Sequence, residues 1–254
     1  MNEKQFDNNK LDAKISGVVT GIVKENYDDE YPGMVKVEVR SREKGANITD
    51  WVRVATPYAG NDRGVYFLPE VGDEVLVAYA YGDVHKPYVI GSLWNKKVSK
   101  HPKKVAVEEN TIKKIRTRCG HEIIFNEEDG KEDIDIHTPK GLKVQLNDEK
   151  EVITVTDKSG DNFMKIDSKN GEIKITAKKC ITLASGSSSV KIDNNAKKIT
   201  ITSDNVQIDA KQALKLKGQN SEMAGAMTTV SASGTLNLKG DGPTNLKGAV
   251  VKIN

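Results

Sequence analysis

The side chains of this 254-residue chain that could do chemistry are plentiful, but their spacing gives them little to do together. The carboxylates Asp133, Asp135, Glu149, Glu151, Asp157 and Asp167 alternate with lysines or sit in turns. That is the pattern of a solvated outer face, not of a paired acid and base. The serine run at 185–189 lacks the strand-turn-helix setting that exposes a nucleophile and reads as a loop. Cys119-Gly120-His121-Glu122 supplies one thiol and one imidazole, where a zinc site takes four ligands. The remaining histidines, His85, His101 and His137, are scattered, and Cys119 and Cys180 lack the spacing of a disulfide framework. Two unpaired thiols suit synthesis in a reducing compartment. The expectation is a non-enzyme with no catalytic residues, no metal site and no cofactor.

A second chemistry to weigh is base stacking. Trp51, Tyr58, Tyr66, Phe67, Tyr79 and Tyr81 fall in the first third of the chain, and aromatic side chains on a β-barrel can hold single-stranded nucleic acid. About half of them are expected to fill the barrel and its rim. Residues 1–95 carry 11 Lys plus Arg against 15 Asp plus Glu, and that acidic balance opposes phosphate binding. No nucleic acid is expected as a partner. An oligonucleotide-binding barrel with a β-rich oligomerisation tail remains the alternative reading, and a cell-wall hydrolase a more distant one.

The elements that would position these residues are strands. Residues 1–14 read as a flexible polar arm, and from Ile15 five alternating segments follow within about 80 residues: ISGVVTGIV, GMVKVEVR, DWVRVATP, DEVLVAYA and PYVIGSLW. Turn formers separate them, as at Tyr31-Pro32-Gly33, Ala59-Gly60-Asn61-Asp62 and Val71-Gly72-Asp73. Five short strands without a helix suit a small closed OB-type barrel over 15–95, with a six-stranded barrel or small sandwich as the plainer alternative. Residues 96–118 carry nine basic groups against two acidic ones, so 96–120 reads as a basic linker, either solvated or touching an acidic partner.

From residue 121 to 254 the texture changes to evenly spaced segments with an apolar residue at every second position, roughly 14 strands with no aromatic beyond Phe163. The apolar set is Ile153, Val155, Ile173, Ile175, Ile181, Leu183, Val190, Ile192, Ile199, Ile201, Val206, Ile208, Leu214, Leu216, Leu236 and Leu238. A unit recurs near the end as LKLKG, LNLKG and NLKG, the mark of a repeat architecture. Such thin apolar faces do not close a core alone, and their edges invite pairing. Three copies wrapped into a triangular prism would bury those residues as a trimer core of slender aliphatic side chains. The fold expected is all-β: an N-terminal OB barrel followed by an intertwined trimeric β-helix at 121–254. No leader-like apolar run opens the sequence, so the chain reads as made in the cytoplasm.

One stretch carries a family resemblance. GMVKVEVR, then Trp51-Val52-Arg53-Val54-Ala55, Phe67-Leu68-Pro69-Glu70-Val71-Gly72-Asp73-Glu74-Val75, Gly82-Asp83 with Pro87, and Gly91-Ser92-Leu93 together resemble the OB domain of the VgrG and phage baseplate assembly protein V family. These are central spikes of contractile injection systems: phage tails, tailocins, extracellular injection particles and type VI secretion. The resemblance implies a homotrimeric structural spike that works in a baseplate and pierces a target envelope mechanically. The large hub domain of a full VgrG is absent from the sequence, which implies a separate baseplate hub protein. The lysozyme-like insert and the iron-binding histidine pair of some phage spikes are absent too. The terminal Lys247, Gly248, Ala249, Val250, Val251, Lys252, Ile253 and Asn254 resemble the blunt β-helix ends that a PAAR-type tip protein caps, carrying effectors with it.

Overall fold

A computed structural model describes residues 15–39, 48–95 and 99–252. The arm expected at 1–14, part of the expected linker at 96–98, and the last two residues of the expected tip platform, Ile253 and Asn254, lie outside them.

The barrel is built from five strands whose alternation puts one side chain in two into a common core. They are β1 (Val18–Glu25), β2 (Met34–Val39), β3 (Val52–Val54), β6 (Glu74–Tyr79) and β7 (Pro87–Leu93). The order β1-β2-β3-β7-β6 closes through β6 against β1, and only β3 with β7 is a parallel pair. This is the five-stranded closed topology that the spacing of the segments predicts. A small hairpin, β4 (Ala59–Gly60) with β5 (Arg63–Gly64), fills the connection from β3 to β6. Of the residues read as a turn there, Ala59 and Gly60 form β4 and Asn61-Asp62 is the tip.

Valine dominates the core. Val23, Val35, Val37, Val39, Val52, Val75, Val77 and Val89 are buried, joined by Tyr79, with Val19, Val54 and Leu68 packed at the margin. Branched side chains on short, twisted strands fill a barrel this narrow without leaving room for rings. The aromatics therefore go elsewhere. Of the six named above only Tyr79 is in the core, while Tyr58, Tyr66, Phe67 and Tyr81 are exposed and Trp51 is half-buried. Packing is tight enough that Gly21 admits no side chain: a Cβ there would meet Val37 Cγ1 at 2.3 Å.

Among the described residues, ten strands follow the barrel. β8 (Ile112–Arg116), β9 (Glu122–Asn126), β10 (Asp133–His137), β11 (Lys143–Asn147), β12 (Val152–Thr156), β13 (Phe163–Asp167) and β14 (Glu172–Thr176) form one antiparallel meander. β15 (Cys180–Ser185), β16 (Ser188–Asp193) and β17 (Lys198–Thr202) form a second, separate one. The basic stretch expected as a linker to residue 120 thus contains β8. Its cations are strand residues with partners opposite: Lys113 pairs with Glu127, and Lys114 and Arg116 with Glu122.

Beyond Thr202 the described chain runs on to Lys252 with no strand pairing, and every residue in it is exposed. The alternation that marks strands continues there, in NVQIDA, ALKLKG and TLNLKG. These segments have the strand period, but among the described residues of their own chain they have no strand neighbour.

Candidate functional site

Register turns the alternation of β8–β14 into two transverse rows. One row is Ile115, Ile123, Ile136, Val144, Val155, Met164 and Ile175, each the direct partner of the next. The second, two residues away along every strand, is Phe125, Ile134, Leu146, Ile153, Ile166 and Ile173. Direct cross-strand partners share a face, so thirteen apolar side chains lie on one side of the sheet. β15–β17 repeat the arrangement with Ile181, Ile192 and Ile199 in one row and Leu183, Val190 and Ile201 in the other.

This apolar face is open. Ile153 is 40%, Val155 46%, Ile175 50% and Ile173 68% exposed. A groove of about 810 Å³ runs along it from Phe67, on the barrel's loop before β6, past Ile115 and Ile136 to Ile175. Monomeric proteins seldom expose contiguous apolar surface on this scale.

The opposite face is polar and closed on itself, which reverses the usual order of burial. Glu122 is only 6% exposed, held by Lys114 at 2.9 Å, by Arg116, and by His137 Nε2 at 3.5 Å. Asp135 receives His137 Nδ1 and Lys143 Nζ, each at 2.6 Å. Arg116, Glu122, His137 and Lys143 are consecutive partners in one row, so the ion pairs run strand to strand and their long side chains cover the carboxylates. Asp135 and Asp167 were expected on a solvated outer face. They are on the polar face, but neighbouring lysines overlie them, and Asp167 is 5% exposed.

Several of these carboxylates fasten hairpin ends. Asp157 accepts the N–H of Gly160 at 2.8 Å, Asp193 accepts those of Asn195 and Ala196 at 3.0 Å, and Asp167 accepts that of Asn170 at 3.0 Å. Hydrogen bonds to the ionised form hold a carboxyl down. The Lys165 ammonium, then the Asn170 N–H and side-chain amide, bring Asp167 to about 2. Asp157 is lowered chiefly by the Asn162 amide, and Asp193 chiefly by the Ala196 N–H. These groups fix turns, and among the described residues none pairs with another acid as a catalytic couple. No group of three or more His, Cys, Asp or Glu among the described residues could hold a metal ion.

The residues predicted as a trimer core fall into two groups. Ile153, Val155, Ile173, Ile175, Ile181, Leu183, Val190, Ile192, Ile199 and Ile201 are all in the rows above. Val206, Ile208, Leu214, Leu216, Leu236 and Leu238 lie in the unpaired run after Thr202 and are exposed. Sequence reasoning stopped short of Ile115, Ile123, Phe125, Ile134, Ile136, Val144, Leu146, Met164 and Ile166. The same alternation in EIIFN, DIDIH, KVQLN and FMKID marks most of them. Of the expected tip platform, Lys247, Gly248, Ala249, Val250, Val251 and Lys252 are exposed and lie outside any strand, with a bend at Ala249.

Comparison with known proteins identifies the barrel. Residues 19–94 match the family described as the type VI secretion system/phage-baseplate injector OB domain. Among curated relatives, the type VI secretion system spike protein VgrG1b of Pseudomonas aeruginosa is 29% identical over 135 residues, 49% of this chain and 18% of the relative. Spike protein VgrG5 of the same organism is 36% identical over 83 residues, 32% of this chain and 10% of the relative. The actin cross-linking toxin VgrG1 of Vibrio cholerae is 27% identical over 139 residues, 52% of this chain and 12% of the relative. The chain thus spans less than a fifth of the length of these relatives.

The carboxylate clamp sets a pH dependence. A carboxyl lowered on folding contributes stability that is present above its unfolded value, near 3.8, and is lost as pH falls toward about 2. Thermal unfolding midpoints measured between pH 5 and pH 2 at fixed concentration should fall more steeply for the wild type than for Asp167→Asn. The two curves should converge at the acid end.

Proposed function

Because its barrel is an injector OB domain of the VgrG and phage baseplate V family, we propose that this chain is the central spike of a contractile injection system. It works as a homotrimer whose apolar faces meet on a common axis. The open double row across β8–β14 is the observation that carries this reading. Burying one large aliphatic side chain is worth about 1.5–3 kcal/mol. These thirteen positions are already about half covered within one chain, so completing their burial contributes roughly half of that at each, a sum that offsets an association cost of about 4–15 kcal/mol. Three copies give each sheet two others to face and leave the ion-paired polar faces outside, in water.

A prism of this kind is a rod suited to transmitting force. With edges paired between chains, opening any segment strips hydrogen bonds from two copies, so cheap local unfolding is scarce. The barrels dock on a baseplate hub and the far end, Lys247–Asn254, forms a three-fold platform for a PAAR-type tip with its effectors. The work is mechanical and the chain is not an enzyme. Its place is the baseplate of a phage tail-like or secretion machine, and its target is a cell envelope. Supporting a non-catalytic part, Glu122, Asp157 and Asp167 are occupied in turns and ion pairs.

Sedimentation tests the assembly. The wild type should sediment at three times 27.8 kDa. Val155→Asp, which places a carboxylate mid-row, should sediment as a single chain with its barrel still folded by circular dichroism. A wild type that sediments as one chain at working concentration sinks the reading. For the platform, deletion of residues 247–254 should abolish capture of a cognate PAAR-type protein while the trimer persists. Capture that survives the deletion moves the tip interface elsewhere.

A further inference from the structure

Eight hairpins reverse the chain between β8 and β17, and each contains a residue with positive φ. These are Gly120, Gly130, Gly141, Glu151, Gly160, Gly171, Gly186 and Lys197. The link from β14 to β15, Ala177-Lys178-Lys179, contains none. It is as short as a hairpin loop, yet β14 and β15 do not pair, and each is the edge of its own sheet. Without a left-handed residue the chain does not fold back there. It bends at Lys178 and Lys179 instead, between two strands of about 17–20 Å each.

The link is held from both sides. Asn162, at the hairpin before β13, accepts the Lys178 N–H at 3.0 Å, and Asp161 binds Lys178 Nζ at 2.7 Å. On the β16 side, Asn194 donates its amide to the Lys178 carbonyl at 3.1 Å and its backbone N–H to the Lys179 carbonyl at 2.9 Å. Turn residues of the first sheet lie along one flank of the link and those of the second along the other. This is the geometry of a chain rounding a corner.

Resting on the homotrimer reading above, we propose that the chain changes faces of the prism at Ala177–Lys179. β15–β17 of one copy then continue the sheet that β8–β14 of the next copy begin. The open edges, β14 of one copy and β15 of its neighbour, join as a parallel pair, because a run that rounds a corner without reversing crosses the next face in the same sense. The side-chain pattern agrees. Ile173 and Ile175 on β14 and Ile181 and Leu183 on β15 all belong to apolar rows, while Lys174 and Thr182 point the other way. The occupant of both edges is therefore a second copy of this chain, in a register that sets Lys174 beside Thr182 and Thr176 beside Ala184.

Engineered disulfides read this directly. In a Cys119→Ser, Cys180→Ser background, the pairs Lys174→Cys with Thr182→Cys and Thr176→Cys with Ala184→Cys are oxidised and run on denaturing, non-reducing gels. Gln145→Cys with Thr154→Cys, direct partners within one chain, serves as the intrachain control. Face exchange predicts covalent dimers and trimers from at least one of the two test pairs and only monomer from the control. Monomer bands alone from both test pairs, in samples that sediment as trimers, overturn the exchange and leave the trimer standing. Samples that sediment as single chains overturn both.

Discussion

The dominant constraint on this chain is an apolar face that its own fold does not cover. In most domains a sheet buries its apolar side against another layer and leaves its polar side wet. Here the polar side is the better covered, because Lys114, Arg116, His137, Lys143 and Lys165 lie across Glu122, Asp135 and Asp167. The other side carries Ile123, Ile136, Val144, Val155 and Ile175 in a line that, among the described residues, no second layer covers. Removing a partner from a nearly buried ion pair leaves an uncompensated charge, which costs more than losing an exposed pair. The polar ladder therefore fixes the outside of the sheet, and assembly has only the apolar side left to use.

The barrel solves the same problem within one chain. Closure of β1 on β6 removes its edges, and eight valines fill an interior that admits no ring except Tyr79. Its joint to the long sheet is charged: Arg118 reaches Glu70 at 3.1 Å across the boundary. Phe67 lies on the barrel side of the apolar groove, so the same loop that ends the barrel's rim begins the face used by the sheet. A rigid, self-contained head and a body completed by other copies are two regimes of the same strand period.

Much of this was legible in the sequence, and the limits have physical causes. Alternation in VVTGIVKE or EVITVTD states which side chains share a face, and turn residues such as Gly160 and Gly171 state where the chain reverses. Five barrel strands and the row positions from Ile153 to Ile201 follow from that. Alternation does not say where a strand finds its partner. The long sheet begins at Ile112 because Lys113, Lys114 and Arg116 have acidic partners opposite, information that lies ten or so residues away in Glu122 and Glu127. Alternation does not say which of the aromatics enters the barrel: one of this diameter takes branched aliphatic side chains and Tyr79, while Tyr58, Tyr66, Phe67 and Tyr81 are left exposed. Asp135 and Asp167 are less solvated than their spacing implies, because a charge on a sheet is covered by the length of the side chains beside it, which composition alone does not convey.

The central claim is that strands without a neighbour in their own chain are paired with other copies. Amide hydrogen exchange tests it residue by residue, since an extended segment with no hydrogen-bond partner exchanges at the rate of an unfolded peptide. The account predicts that in the purified protein residues 204–252 and the outer edge of β14 are protected as strongly as the barrel strand β6. Rapid exchange across 204–252, with the barrel still protected, would contradict it.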